Sequence, residues 1–240
     1  MSRRAPVLWT ALLCLASASC NKDSATRVDP ADYDAFFLWA GVRSPAVLKR
    51  ARTIYLLAGE VRADSNARVV PLRPQVPRVD HARLWLTVRV ERIDWEEGVY
   101  RALLRQLAQW EAAGNRVEGL QIDFDARTRG LSDYAAFLAD LRQRLPARYR
   151  LSVTGLLDWS ANGDPAALAQ LAGTVDEVVV QTYQGRTTIP GYERYMAGLQ
   201  RLPLDYRVAL VEGGDWRAPP GLAGDPEFKG YVVFLLPKAD

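Results

Sequence analysis

Short apolar runs recur along the chain, and segments of a different pattern separate them. Eight of these runs are rich in Val, Leu and aromatic residues, and most are too short to be helices. They cover residues 35–42, 53–61, 82–91, 117–125, 149–156, 177–183, 206–212 and 231–237. The pattern predicts eight β-strands.

Several of the intervening segments have the spacing of amphipathic helices. Residues 94–113 and 132–145 each place apolar side chains at intervals of three and four, which makes one apolar face. Two further segments begin with pairs that favour helix starts, Ser44 with Pro45 and Asp164 with Pro165. Residues 192–200 form a weaker candidate. These segments predict helices between the strands.

Alternation of strand and helix is typical of a parallel sheet, because parallel neighbours need a crossover connection. Eight strands predict a closed (β/α)8 TIM-like barrel. An open doubly wound sheet is the alternative, and no G-x-G-x-x-G motif follows the first strand to favour it. We expect an irregular barrel: residues 62–80 are rich in Pro and Arg and indicate a loop or hairpin instead of a second helix, and no final helix is expected.

The first twenty residues have a third pattern: a basic start with Arg3 and Arg4, an apolar run, and small residues leading to Cys20. This layout predicts a secretory signal peptide over residues 1–20. The ending LASASC resembles a bacterial lipoprotein box, although Ser17 stands where Leu or Val is usual. It implies lipid attachment at Cys20; cleavage without a lipid is the alternative.

The domain organisation follows from this start. We expect a flexible tether over residues 21–34 and the barrel domain over residues 35–240. An exported protein of the cell envelope is expected, lipid-anchored to a membrane and facing the periplasm or the cell surface.

Composition narrows the possible partners. The chain has 240 residues, 49% of them hydrophobic, and 31 Lys and Arg against 28 Asp and Glu. Without the signal peptide the charge is close to neutral and no basic stripe occurs, so nucleic acid is not an expected partner. Both cysteines lie within the first twenty residues and the chain has one histidine, which disfavours a zinc site. We expect no cofactor or metal, although calcium on the carboxylates stays open.

Polar and aromatic residues accumulate where the predicted strands end. In a TIM barrel the active site lies at the carboxyl ends of the strands. The candidate catalytic residues are Asp123, Asp125, Tyr183 and Glu212. The candidate substrate-binding residues are Trp39, Glu60, Arg89, Gln121, Asp158, Trp159, Gln181, Asp215 and Trp216.

Asp123 and Asp125 are two residues apart on one strand and therefore share a face. Two neighbouring carboxylates raise the proton affinity of one of them. A protonated carboxyl near neutral pH is what general-acid catalysis at a glycosidic bond requires. We therefore predict Asp125 as general acid and Asp123 as its partner, with Tyr183 and a substrate acetamido group, or Glu212 on the opposite wall, completing the mechanism. A structural, hydrogen-bonded pair is the alternative.

Three stretches carry a resemblance: GLQIDFDA at residues 119–126, LPARYRLSVTGLLDW at 145–159 and VDEVVVQTYQG at 175–185. They resemble the bacterial lipoprotein family of domain of unknown function 3142, which implies a TIM-barrel fold akin to glycosidases. A more distant similarity is to the family 18 chitinases, with their D-G-x-D-x-D-x-E strand. On that pattern Asp123 matches the third aspartate.

Five positions depart from the chitinase pattern. Glu118 and Gln121 replace its first two aspartates, and Asp125 replaces the acid glutamate. On the sixth strand Gln181 and Gln184 replace Met and Asp. An Asp is one methylene shorter than Glu, which argues against direct carry-over of chitinase activity. The sequence thus predicts a glycoside-hydrolase-like barrel that acts on or binds a carbohydrate. A non-catalytic glycan-binding protein and a structural envelope lipoprotein are the alternatives; the sugar and the oligomeric state stay undetermined.

Overall fold

The computed structural model describes residues 26–39, 42, 45–199 and 204–237. The predicted signal peptide, Cys20 and the Ser44 helix start lie outside the described residues. Among the helices within those ranges, none is long and apolar enough to cross a membrane.

Eight parallel strands close into a barrel. In chain order they are β1 Ala35–Leu38, β2 Thr53–Val61, β3 Arg83–Val90, β4 Arg116–Asp123, β5 Arg150–Leu156, β6 Glu177–Gln181, β7 Tyr206–Val211 and β8 Phe228–Phe234. Each strand pairs with its neighbours in chain order, and β8 pairs with β1 through Val233 with Phe36. The predicted (β/α)8 TIM-like barrel is confirmed, and closure excludes the open sheet.

Within the described ranges, five α-helices lie between the strands. They are α1 Glu97–Ala112, α2 Leu131–Arg144, α3 Trp159–Asn162, α4 Pro165–Ala172 and α5 Glu193–Leu199. Short 3-10 helices cover Pro30–Asp32, Ala46–Arg50, Thr128–Gly130 and Leu222–Gly224. The Asp164 side chain accepts the amide of Ala167 at 3.0 Å and so caps α4 as expected. Gly114, at φ 90°, ends α1 in the left-handed region that favours glycine.

The β2–β3 connection is a loop with one short strand, Val70–Pro71, which pairs antiparallel with Gly59 and Glu60 near the end of β2. At Gly59 a Cβ atom would lie 2.8 Å from Val69 Cγ1 and 2.9 Å from the Val70 carbonyl oxygen. Glycine at this position therefore lets the loop pass close to the strand. The prediction of a loop or hairpin in place of a second helix is confirmed here.

The segment predicted as a flexible tether packs against the barrel from Thr26 onward. Thr26 and Arg27 pair with Trp216 and Asp215 in a two-stranded antiparallel sheet, and Val28 is buried. The tether prediction is therefore wrong for residues 26–34: pairing satisfies the backbone, and the apolar Val28 gains by leaving water. Another two-stranded sheet joins Tyr183–Gln184 to Thr187–Thr188 after β6.

Alternation along the strands separates two apolar clusters. The outer cluster joins one face of the strands to the helices. The inner cluster contains no helix residue and fills the barrel: Ala35, Phe37, Tyr55, Trp85, Val179, Tyr183, Ala209, Val211 and Val232. Tyr55 stacks on Trp85 at 5.8 Å between ring centroids and contacts Phe37 at 5.0 Å. The barrel interior is thus filled by aromatic and aliphatic side chains.

Candidate functional site

Asp123 is the last residue of β4, at the carboxyl end of the barrel, and is partly buried. The hydroxyl of Thr154, on β5, donates to Asp123 Oδ1 at 2.9 Å. Burial raises the pKa of Asp123 from 3.8 to about 6; the Thr154 hydrogen bond opposes this, the charge of Asp125 adds to it, and Arg89 opposes it. This carboxyl is therefore about half protonated at pH 6 and about one-tenth protonated at pH 7.

Asp125 lies two residues beyond Asp123 and is exposed to solvent. Phe124, between them, points to the helix layer, where its ring lies 5.1 Å from that of Tyr134 on α2. The alternation predicted for this stretch is present, and it puts the two aspartates on the side away from the helices. The buried carboxyl and the exposed one thus form an asymmetric pair.

Tyr183 completes the group around the aspartates. Its ring stacks on Phe234 at 5.3 Å, and Gln181 Nε2 lies 3.5 Å from its hydroxyl oxygen. Burial raises the pKa of Tyr183, and the charges of Asp123 and Asp125 act in the same direction. The hydroxyl therefore stays protonated and can donate a hydrogen bond.

Aromatic contacts continue from Tyr183 around the rim. Phe234 contacts Trp39 edge to face at 5.3 Å, and Trp39 contacts Phe37 at 5.7 Å. Trp39 is partly exposed, just past the end of β1. Aromatic rings beside two carboxyls suit a ligand that has both apolar faces and polar edges, as sugars have.

Gln121 lies below this group and is fully buried. Its Oε1 accepts the hydroxyl of Thr87 at 3.1 Å, and its Nε2 donates to Ser152 Oγ at 3.2 Å. Both ends of the amide are therefore engaged inside the barrel. This network supports the strand ends from below and leaves Gln121 no free group for a ligand.

Glu212 is not brought to the aspartates. Val211 before it belongs to the inner cluster, so alternation turns Glu212 away from the interior. Its Oε2 accepts the Leu236 amide at 2.8 Å, and it lines a cavity of about 440 Å³ together with Asp29 and Arg50. The structure thus offers no support for Glu212 as a second carboxylate on the opposite wall.

Trp159, Trp216 and Asp215 also lie elsewhere. Trp159 is buried in the outer cluster and donates to the Ala126 carbonyl at 2.8 Å. Trp216 stacks on Tyr192 at 4.9 Å, and Asp215 is exposed beside it. The two tryptophans therefore anchor loops on the outside of the barrel.

Three other predicted residues lie at or just beyond the carboxyl ends of strands: Glu60, Arg89 and Asp158. Glu60 and Arg89 are register neighbours at the ends of β2 and β3, and Glu60 forms an ion pair with Arg62 at 3.0 Å. Arg89 is in turn the register neighbour of Asp123, which places it beside the pair. Asp158 has a buried Oδ1 without a partner among the described residues, and burial raises its pKa.

Two residues near Asp123 were not predicted. Thr154 follows Ser152 by two residues on β5, so alternation alone contained the signal that it faces inward. Tyr134 is buried in α2, its hydroxyl has no partner among the described residues, and the charge of Asp123 adds to the burial that raises its pKa. Its position in the helix layer, close enough for the charge of Asp123 to act on it, depends on how α2 packs. Within the described ranges, no group of three or more His, Cys, Asp or Glu side chains is placed to hold a metal ion.

A family model described as "Domain of unknown function (DUF3142)" matches residues 73–192. The match is half of the chain and includes Asp123, Asp125 and Tyr183. The chain belongs to this family. No curated protein matches it.

Solved structures show which folds the DUF3142 chain shares. The chitinase domain of the spore coat protein CotE from Clostridium difficile matches with a TM-score of 0.52 and 13% identity, over 81% of this chain and 67% of that one. The xylanase and α-amylase inhibitor protein XAIP-II from Scadoxus multiflorus matches with a TM-score of 0.53 and 9% identity, over 83% and 91%. The same barrel thus occurs in a chitinase domain and in an inhibitor protein, and the likeness concerns the fold alone.

Proposed function

We propose that this protein binds a carbohydrate at the carboxyl ends of β4 to β6 and hydrolyses a glycosidic bond there. The observation that carries the proposal is the asymmetric pair: Asp123 is partly buried with a pKa raised to about 6, next to the exposed Asp125. Such pairs divide the acid and charge-stabilising roles of glycoside hydrolysis. The barrel fold, shared with a chitinase domain, is compatible with this chemistry.

Burial raises the pKa of Asp123 to about 6, so within the pair the proton resides on Asp123 at lower pH. Asp125 is the exposed member, so it is the one placed to protonate the oxygen of the leaving sugar. Asp123 passes its proton to Asp125, Asp125 passes a proton to the leaving oxygen, and the negative charge stays on Asp123, to which the Thr154 hydroxyl donates. Asp123 is thus the partner that keeps Asp125 competent as an acid.

The other half of the reaction needs a nucleophile at the anomeric carbon. Glu212 points away, so we assign this role to the acetamido oxygen of an N-acetylated sugar, as substrate-assisted glycosidases do. This oxygen forms a bond to the anomeric carbon while the bond to the leaving oxygen breaks. The hydroxyl of Tyr183 is the donor we assign to positioning the acetamido group.

Variants of the pair test this proposal. The purified full-length chain is incubated with oligosaccharides of N-acetylglucosamine, and new reducing ends are measured. Asp125→Asn and Asp123→Asn should each lower turnover by about a hundredfold or more. Asp80→Asn is the control, because its side chain is fully exposed at the amino end of β3. Wild-type turnover in both site variants would exclude the mechanism.

Glycan binding without hydrolysis is the second candidate. It is favoured by Asp125 itself, which is one methylene shorter than the glutamate of the family 18 pattern and so sets the proton donor back. In that case the wild type binds oligosaccharides in calorimetry but releases no reducing ends. The asparagine variants then keep their affinity.

The amino-terminal pattern supports a further proposal, that the chain is exported and anchored by a lipid on Cys20. Cells expressing the full chain and a Cys20→Ser variant would be labelled with a fatty-acid analogue and fractionated. We expect the label and membrane association in the wild type, and the loss of both in the variant.

A further inference from the structure

Arg73 is a partly buried guanidinium on the rim of the barrel, on the side of β1 and β2. Its Nε donates to the Leu57 carbonyl at 2.8 Å, and its Nη2 donates to the Leu38 carbonyl at 3.2 Å. Leu38 ends β1 at the level of Leu56 of β2. The guanidinium therefore lies beside the upper part of β2, where β1 has already ended.

The chain holds Arg73 there by a docked segment. Val70–Pro71 pairs with the edge of β2 that β1 leaves free, and the Leu72 amide donates to the Ala58 carbonyl at 3.0 Å. The side chain missing at Gly59 permits this approach. Backbone pairing of the three residues before it thus sets the position of Arg73 on the rim.

No carboxylate of the described residues lies within 4.0 Å of the Arg73 guanidinium. Burial lowers the pKa of Arg73, and no neighbouring charge counters that effect. Glu60, the acidic residue at the end of β2, is engaged with Arg62. A partly desolvated cation held only by carbonyl oxygens is costly unless an anion reaches it.

The remaining donors of Arg73 are available for such an anion. Nη1 has no hydrogen bond within the described part of the chain, and it is not among the buried unpartnered atoms there, so solvent reaches it. A cavity of about 600 Å³, lined by residues 72–78, adjoins it. The Nη1 and Nη2 end of a guanidinium matches the two oxygens of a carboxylate or sulfate.

Arg73 and the aspartate pair lie on one rim. The Leu57 carbonyl is two strands from β4, which is roughly 10 Å along the barrel wall at the usual strand spacing. Arg89, at the end of β3 between them, forms no ion pair within 4.0 Å among the described residues. The rim over β2 and β3 therefore holds two arginines, Arg73 and Arg89, that have no carboxylate within 4.0 Å among the described residues, next to the acidic end of β4.

We propose that Arg73 is an anion subsite of the carbohydrate site, and that the natural ligand is an acidic glycan whose carboxylate or sulfate group binds this guanidinium. The inference rests on the proposed function for the kind of ligand. It adds that the sugar next to the cleaved or bound unit carries a negative charge.

Binding of three hexasaccharides to the full-length chain tests the proposal: neutral N-acetylglucosamine hexamer, hyaluronan with carboxylates, and chondroitin sulfate with added sulfates. We expect a carboxylate or sulfate probe to bind about tenfold or more tightly than the neutral one, with a preference that falls as salt rises. Comparison of the affinities for hyaluronan and chondroitin sulfate shows whether the carboxylates suffice or the sulfates are needed. Arg73→Gln should abolish the preference, so that the acidic and neutral hexasaccharides bind with similar affinity.

Arg78→Gln is the matched control, because Arg78 is exposed, lines the same cavity and carries the same charge. Equal losses in the Arg73 and Arg78 variants would mean nonspecific charge attraction and would overturn the subsite. If Arg73→Gln does not fold, Arg73→Lys should keep some preference at reduced affinity; an unaltered acidic affinity in that variant overturns the proposal.

The two proposals fail separately. Cleavage of the neutral hexamer that depends on Asp125, without an acidic preference, leaves the hydrolase proposal standing and removes the anion subsite. An acidic preference that depends on Arg73, without cleavage of any probe, keeps the subsite and removes the hydrolase.

Discussion

Two carboxyl groups lie inside the barrel at opposite ends, and their surroundings differ. Glu177 begins β6 at the amino end and is 2% exposed. Its Oε1 accepts the hydroxyls of Tyr55 and Ser152, and its Oε2 accepts Arg207 Nε at 3.2 Å. Both of its oxygens are satisfied and its charge is matched by a cation.

Asp123, at the carboxyl end, has fewer hydrogen-bond and ion-pair partners than Glu177. It accepts one side-chain hydrogen bond, from Thr154, and of its two charged neighbours Asp125 has the same sign and Arg89 the opposite sign, without an ion pair to Asp123 within 4.0 Å. Burial then raises its pKa to about 6. A carboxylate with full partners stabilises the fold, whereas one without them holds a proton that chemistry can use.

The largest effect is expected from Glu177→Gln. The substitution leaves the partly buried Arg207 without the carboxylate that it contacts, and removing one partner of a buried ion pair costs up to about 3–5 kcal/mol. Urea unfolding of the full chain measures the loss. The distinction between the two ends would be wrong if Asp123→Asn lowered the free energy of unfolding as much as this change.

Asp123→Asn should raise the free energy of unfolding, and the size of the increase should depend on pH. The pKa of Asp123 rises from 3.8 to about 6 on folding, so the folded state binds this proton more tightly than the unfolded state does. The resulting contribution to the free energy of unfolding is fully present below about pH 4 and is lost as the pH rises through about 6. The asparagine has no proton to lose, so above pH 6 the variant should be more stable than the wild type by at most about 3 kcal/mol.

Unfolding curves between pH 4 and pH 8 test this expectation. The stability difference between wild type and Asp123→Asn should shrink as the pH approaches 4. A constant difference over the whole range would show that Asp123 keeps an ordinary pKa.

The smallest effect is expected from Thr154→Val. It removes one hydrogen bond, which costs about 1 kcal/mol, and it removes an influence that lowers the pKa of Asp123. Carbon NMR titration of the Asp123 carboxyl should show a pKa higher than in the wild type. Thr182→Val is the control: its hydroxyl donates to the Ala209 carbonyl at 2.7 Å, so it should lose similar stability and leave that titration in place.

The spacing of apolar and polar residues predicted the strands of the barrel because it reflects the period of each secondary-structure element. The β4 run, predicted at 117–125, lies at Arg116–Asp123, and the β8 run, predicted at 231–237, lies at Phe228–Phe234. Alternation also predicted that Asp123 and Asp125 share a face. Strand and helix periods follow from backbone geometry, which neighbouring residues determine together.

The direction of a side chain at or just beyond the end of a strand was harder to predict. Glu212 follows Val211 at the end of β7, and one step of alternation decides which side of the wall it occupies. Trp159 and Trp216 suit a sugar site by type, but loops after the strands carry them to the outer cluster. Arg73 stands in a loop whose path depends on the free edge of β2, which no local pattern encodes.

The sequence by itself determined the alternating elements, their number and the face that carries Asp123 and Asp125, because these depend on residue spacing of two or three to four positions. Only the tertiary structure decided that Glu177 is satisfied and Asp123 is not, that Glu212 turns outward, and that Arg73 meets the rim. Those outcomes depend on barrel closure, since closure brings side chains far apart in the chain to within hydrogen-bond distance and sets how much water each retains.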